Sequence, residues 1–323
     1  DLVEMMTYKR PQGSDTQKEF CNKYLEPIMG LPDKYGNYVL TVGNKPQVCF
    51  TAHHDTVHKT SGRQKLAVTK DGIVSLKRKS KGECLGADCT TGIWLICNMI
   101  NANIPGVYVV HAEEEGGCVG STALVKSDPQ WLDDVNYVIS FDRYGKKSVI
   151  THQMGRRTAS DKFAKLLAKT LELPLKPDPN GSYTDSNVYK SKVSECTNLS
   201  VGYYSQHSTE EKQDVVYAYK LLECLISADW DQLQYYRDNT VIEMGSMYGD
   251  WYDDDDYFWG HPPRGYRYDI NQTGDNRIYD MIVDYPEEVA LLLEDLGYTA
   301  DELHEMLGIQ DHGYINEYLE RVS

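Results

Sequence analysis

His53 and Asp55, within Phe50-Thr51-Ala52-His53-His54-Asp55-Thr56-Val57-His58, follow directly on a nearly apolar run, where strands ordinarily end in turn residues. Asp88, the run Glu113-Glu114-Glu115, Asp142 and His207 fall at comparable points further along. Singly, each has a plain structural use: a histidine after a strand satisfies nearby backbone groups, and a glutamate run makes a solvated turn. Together, two histidines and three carboxylates at the ends of separate elements suit zinc, which takes nitrogen and oxygen ligands, and one shared carboxylate could bridge two ions.

The elements that must assemble these side chains alternate between short apolar runs and helical patterns through the first 230 residues. Strands are predicted over 37–42, 47–52, 106–112, 137–141 and 197–204, with a hairpin over 66–77 turning at Lys70-Asp71-Gly72. Helices are predicted after a Ser14 cap, over 91–101, after Gly120, over 160–171 and over 209–226. The alternation implies an α/β fold, a three-layer sandwich with a mixed, largely parallel central sheet. Ligands bind past the carboxyl ends of strands in such sheets, which is where the acids and histidines fall. Successive strand residues face opposite ways, so His53 and Asp55 share one side; His54 is expected to pack and His58 to lie in a loop near the rim.

Composition sets the frame. The chain has 323 residues, 41% of them hydrophobic, enough for a large core. Its eight cysteines form no C-x-x-C pair and several sit in apolar runs, so free buried thiols are expected. No apolar run approaches a membrane span, and the opening DLVEMMTYKR lacks the order of a signal peptide. The expected compartment is the cytoplasm; because the chain opens on Asp, processing of a longer precursor stays open. The net charge of −16 is concentrated beyond residue 230, where 22 acids face 5 arginines and no lysine. That asymmetry predicts a boundary there, separating a domain over 1–230 from an acidic, partly helical extension over 231–323, and it disfavours nucleic acid as a partner.

The series His53-x-Asp55, Leu85-Gly86-Ala87-Asp88 with Gly92, Glu114-Glu115-x-Gly117-x-x-Gly120-Ser121, Asp142 and His207-Ser208-x-x-Glu211 resembles the two-zinc exopeptidases of the M20, M28 and M42 peptidase families. The resemblance covers about residues 1–228 and implies the zinc exopeptidase fold. It implies that Asp88 bridges two zinc ions, His53 and Asp142 completing one and Glu115 and His207 the other. Glu114 then matches the general base and Asp55 the carboxylate that orients the ligand imidazole. Glu114 and Glu115, rather than Glu113, follow from counting back from the glycines. Mn2+ or Co2+ would also suit the mixed ligand set.

Cys89 stands where many relatives carry a second acid, and the peptide bond before it is often cis in those families; an ordinary trans bond with Cys89 as a small filler is the competing reading. Only about 65 residues separate Asp142 from His207, too few for the lid or dimerisation domain of M20 enzymes, so a lid-less M28-type catalytic domain is the better architectural match, although His207-Ser208-x-x-Glu211 looks more like M20 or M42. Tyr183, Tyr203 and Tyr204 are equal candidates for stabilising an oxyanion. Asp185, in Gly181-Ser182-Tyr183-Thr184-Asp185-Ser186, either contacts a substrate amine or caps the helix beginning near Ser186.

The resemblance implies hydrolysis of peptide bonds, with an aminopeptidase acting on short peptides as the leading expectation. The alternatives are a carboxypeptidase or N-acyl-amino-acid amidohydrolase with the same metal chemistry, and a metal-free peptide-binding pseudo-enzyme. The partner expected is a peptide or N-acyl amino acid, with neither nucleic acid nor membrane. In the extension, aromatic residues flank Asp253 to Asp256, and two short helices are expected within 284–323, the first from Pro286 and the second from a Thr299-x-x-Glu302 capping box. It is read as a docking or gating element over the site, or as a packed appendage.

Overall fold

The computed structural model describes residues 1–77, 83–243 and 267–269. The chain divides into two compact units, Asp1–Tyr268 and Asp269–Ser323. The helices expected within 284–323, and nearly all of the aromatic and acidic stretch 245–268, lie outside the described residues.

A seven-stranded mixed sheet organises the first unit. In chain order its strands are β1 (Tyr38–Val42), β2 (Val48–His53), β3 (Gly106–His111), β4 (Tyr137–Arg143), β5 (Ser148–Ile150), β6 (Lys176–Asp178) and β7 (Glu195–Ser200). Their order across the sheet is β6-β5-β7-β4-β2-β3-β1. β3, β2, β4 and β7 run parallel, β1 pairs antiparallel with β3, and β7 pairs antiparallel with β5. The carboxyl ends of the four parallel strands therefore share one edge.

Both faces of this sheet are covered, which is why β2 and β3 are buried along their whole length rather than alternating with polar residues. The period of two sorts their side chains between two cores. Val48, Phe50, Ala52, Tyr108, Val110, Ile139 and Phe141 join the larger core, with helices α1 (Asp15–Tyr24), α2 (Ala87–Asn101), α4 (Asp161–Thr170) and α6 (Val215–Ser227). Cys49, Val107, Val109 and Val138 join the smaller one, with α3 (Val119–Lys126) and residues beside α5 (Asp185–Val188). This is the three-layer sandwich expected from the alternation of elements. Phe50 stacks between Phe141 and Tyr108, with ring centroids 5.7 and 5.4 Å away, and Trp230 meets it edge-on at 4.9 Å.

Local chemistry explains the element ends. Ser14 caps α1 by accepting the Gln17 amide, and Ser160 caps α4 by accepting that of Phe163. The predicted strand over 197–204 breaks at Gly202, whose φ of +94° turns the chain into a separate two-residue strand, Tyr203–Tyr204. The helix predicted from residue 209 instead begins at Val215. Lys212–Asp214 extends the 66–77 hairpin by pairing with Ile73–Leu76, and the Asp214 side chain caps α6 by accepting the Tyr217 amide. All eight thiols are unpaired, seven of them buried. Beyond Trp230 the chain still packs on the sheet: the Tyr137 hydroxyl donates to the Leu233 carbonyl at 2.8 Å, and the buried Glu195 carboxylate accepts the amides of Tyr236 and Arg237. Among the described residues no helix is long and apolar enough to cross a membrane.

Candidate active site

Five loops meet at the shared carboxyl edge of the parallel strands. β2 delivers His53 and then Asp55; the loop after β3 delivers Glu114 and Glu115; Asp142 lies near the end of β4; the loop entering α2 presents Asp88; and the turn after Tyr203–Tyr204 presents His207. The five proposed ligand residues, with Glu114 and Asp55, are thus brought together.

Asp88 stands at the centre. Its Oδ1 lies 3.1 Å from His53 Nε2 and its Oδ2 lies 3.2 Å from His207 Nε2, so each oxygen faces a different imidazole. Asp142 Oδ1 lies 3.5 Å from His53 Nε2, and Glu115 Oε1 lies 3.2 Å from His207 Nε2. The donors thus form two groups, Asp88-His53-Asp142 and Asp88-Glu115-His207, sharing Asp88. Ligand atoms held tetrahedrally at ordinary zinc distances lie about 3.3 Å from one another, which these separations match. Glu115 Oε1 is buried and, apart from its contact with His207, receives no hydrogen bond, as an oxygen reserved for a cation would be.

The electrostatics ask for positive charge. Five carboxylates crowd a largely buried pocket and, among the described residues, their ion pairs are with histidines rather than with lysine or arginine; like charges there ionise together only if cations offset them. Burial opposes charge on His53, yet the surrounding Cys89, Asp142, Asp55 and Asp88 hold its pKa well above the usual histidine value. Hydrogen bonding to Asp88 and Glu115 lifts His207 to about 11. Burial and the neighbouring Asp88 charge push Asp142 up to about 7. Protons here do what metal cations would do better. The donor set fits divalent cations that accept nitrogen and oxygen ligands.

Cys89 also comes near His53 and Asp142, but its thiol donates to the Phe141 carbonyl at 3.1 Å and so faces backbone. The Asp88–Cys89 peptide is cis. Regular helical geometry in α2 begins only after Cys89, so Asp88 sits in the loop ahead of the helix proper.

The supporting contacts are specific. Asp55 Oδ1 lies 3.4 Å from His53 Nδ1, and its two oxygens accept the amides of Glu114 and Glu115 at 3.1 Å each. Against the cost of burial, His53, His54 and the Glu114 amide hold the Asp55 carboxyl down at about 2. Glu113, at φ +57°, turns the chain so that the next two residues meet Asp55, which sets the glutamate register. Glu114 Oε2 lies 3.9 Å from His53 Nε2, and Oε1 accepts the Cys118 thiol at 3.6 Å. Burial first, then the charges of Asp142, Asp185 and Asp88, raise the Glu114 carboxyl well above the usual range.

His54 packs as expected, its imidazole meeting Gln17 and the Gly36 carbonyl. His58 differs from expectation. Rather than lying near the rim it is buried, meeting Thr56 Oγ1 through Nδ1 at 2.8 Å and the Cys84 carbonyl through Nε2 at 3.1 Å. The cause is Gly86, at φ +70°, where a Cβ would lie 3.0 Å from the His58 ring; without one, the 84–88 loop folds down over the histidine.

Asp185 opens α5 and is buried, with Oδ1 unpartnered. It does not cap that helix, since the residue before it, Thr184, is the cap position, and the Thr184 hydroxyl donates to Asp142 Oδ2 at 2.7 Å. Tyr203 is buried with its hydroxyl 3.3 Å from Asp142 Oδ1, whereas Tyr183 and Tyr204 are exposed. Asn198 exchanges two hydrogen bonds with the Asp142 backbone. No local sequence pattern marks Asn198 or Thr184 as part of the site, and little marks Glu211. The Ser208-x-x-Glu211 spacing was the only signal for the last.

The sequence profile of peptidase family M28 matches residues 37–285. A comparison with curated protein sequences gives no significant match. Among solved structures, the chain is similar to aminopeptidase PepT from Bacillus cereus (15% identity, TM-score 0.55, covering 70% of this chain and 95% of that one). It is also similar to a tripeptidase from Staphylococcus aureus (14%, TM-score 0.56, covering 70% and 95%). A third is the TET1 peptidase of Pyrococcus horikoshii, which assembles into a tetrahedron or a large octahedral shell (15%, TM-score 0.51, covering 70% and 98%). At these identities the structural likeness speaks for the zinc exopeptidase fold, while the profile spans most of the chain. The protein therefore belongs to peptidase family M28, a family of metal-dependent peptidases.

Proposed function

We propose that the protein is an aminopeptidase that removes residues from the free amino end of short peptides with two zinc ions. The observation that carries this reading is Asp88, whose two oxygens face His53 and His207 at 3.1 and 3.2 Å and so divide the donors into two groups around one shared carboxylate. His53, Asp142 and Asp88 would hold one ion, and Glu115, His207 and Asp88 the other. When bound, the ions would acidify the attacking water and polarise the substrate carbonyl.

The chain's own groups supply the rest. Glu114 belongs to neither ligand group and would take the proton of the attacking water, then pass it to the departing amine. Burial and the neighbouring carboxylates raise its carboxyl above the usual range, the direction that makes a carboxylate a stronger base. Asp55 fixes the His53 ring and the backbone of both glutamates. Asp185, buried with an unpartnered oxygen and close enough that its charge acts on Glu114, would receive the substrate ammonium group. That placement favours a free amino end over an acylated one. The named activities of PepT and of the tripeptidase agree with this choice.

Metal counting tests the reading. Protein stripped with a chelator and dialysed against zinc should take up close to two ions per chain and regain peptide hydrolysis. Uptake near zero, or hydrolysis indifferent to chelation, would contradict it.

A further inference from the structure

Glu211 is fully buried, yet it belongs to neither group of ligands. Its carboxylate accepts four consecutive backbone amides: Oε2 those of Leu85 and Gly86 at 2.7 and 2.9 Å, Oε1 those of Ala87 and Asp88 at 2.9 and 3.2 Å. Gly86, at φ +70°, curls the loop so that successive N–H groups converge into an anion-holding nest. Glu211 lies four residues after His207, on a tight turn closed by Glu211 N to Ser208 O at 3.2 Å and Ser208 Oγ to Ser205 O at 2.7 Å. One carboxylate therefore ties the loop presenting Asp88 to the turn presenting His207.

We infer that Glu211 is a positioning residue that sets the separation between Asp88 and His207, and with it the affinity of the metal site they form with Glu115. Bonds to an ionised acceptor are the strong ones, and four from one rigid loop fix both its place and its orientation. The other group should depend on Glu211 less, because Asp142 is held by Asn198, Thr184 and Tyr203, and His53 by Asp55. Glutamine is isosteric here but not equivalent: its NH2 would face two of the four amides donor to donor, so two bonds are lost.

The inference rests on the two-ion reading for the identity of the ligands, and two readouts keep the two apart. In the first, chelator-stripped protein is titrated with Co2+ by visible absorption and with Zn2+ by calorimetry; His207→Ala identifies which step belongs to the His207 group. Glu211→Gln should weaken that step by about 10- to 100-fold, the usual effect of losing a residue that orients a ligand, and change the other by less than about threefold. Both steps unchanged, or both weakened alike, would overturn the inference. The second readout is amide hydrogen exchange in the unmodified protein, which needs no variant to fold. Residues 85–88 should stay strongly protected after the metal is stripped; exchange at unprotected rates would show that Glu211 does not hold the loop. Uptake of fewer than two ions by unmodified protein would instead count against the two-ion reading, leaving the exchange result to decide this one.

Discussion

Asp55 Oδ1 stands 3.4 Å from His53 Nδ1 while the same carboxylate accepts the Glu114 and Glu115 amides. A single buried side chain thus joins the imidazole at the end of one strand to the paired glutamates at the end of its neighbour. β2 and β3 are parallel partners with His53 opposite His111, so the loop after β3 reaches Asp55 without a long excursion. In Asp55→Asn, an NH2 group would face either the imidazole N–H or a backbone amide. Metal affinity should fall by about 10- to 100-fold. Competition with a chelator of known strength measures it, and wild-type affinity would refute the coupling.

Glu114 lies beside the proposed metal ligands without joining either group. Glu114→Gln should keep the metal content of the unmodified protein while kcat falls by about 10² to 10⁴, the range of a general base. Metal analysis and kinetics on one preparation separate the two effects. Unchanged turnover would remove Glu114 from that role, and loss of an ion would make it a ligand instead.

Gly92 lets α2 lie against the sheet beneath the site. A Cβ there would come within 2.5 Å of the Phe141 carbonyl oxygen and 2.6 Å of Cys89 Sγ, neither of which can move freely. Gly92→Ala should destabilise the fold by about 1–3 kcal/mol through overpacking, read as a lower denaturant midpoint. It should also weaken metal binding, since the loop that presents Asp88 leads directly into the helix that Gly92 seats. A midpoint equal to that of the unmodified protein would mean the helix has room to shift.

His111 is fully buried, and burial lowers its pKa from 6.5 to about 3. Asn37 Oδ1 lies 3.3 Å from its Nδ1 and the Tyr189 hydroxyl 3.1 Å from its Nε2, an arrangement that suits the neutral ring protonated on Nδ1. The folded state thus resists a proton that the unfolded chain accepts. Its contribution is complete above pH 6.5 and is lost as pH falls from there towards 3. Between pH 6.5 and 4, His111→Gln in metal-stripped protein should show a shallower loss of stability, by up to about 1.4 kcal/mol per pH unit. Parallel slopes in the two proteins would place the titration elsewhere.

Much of this is legible in the sequence because the proposed ligands sit where strands end, and strand ends are marked by apolar runs stopping at His53, Ala112 and Phe141. The glutamate register was legible because Gly117 and Gly120 are fixed by backbone needs: Gly117 has φ +101°, and a Cβ at Gly120 would strike the Ala112 carbonyl at 2.4 Å. What escaped were contacts made between segments distant in sequence. Glu211 reaches a loop more than 120 residues away, and no local pattern marks a carboxylate destined for a nest of amides. His58 is buried rather than near the rim for a related reason: the loop that buries it arrives from residues 84–86. The late start of α6 reflects tertiary pairing, since Lys212–Asp214 is taken as a strand by the hairpin opposite it.

The activity we propose is removal of residues from a free amino end by metal-dependent hydrolysis. The most direct measurement incubates zinc-loaded protein with matched short peptides bearing free or acetylated amino termini and identifies the products by mass. Stepwise loss of the amino-terminal residue from the free peptides alone, abolished by chelation, is the predicted result. Cleavage confined to the acetylated set, or release of the carboxy-terminal residue, would contradict it.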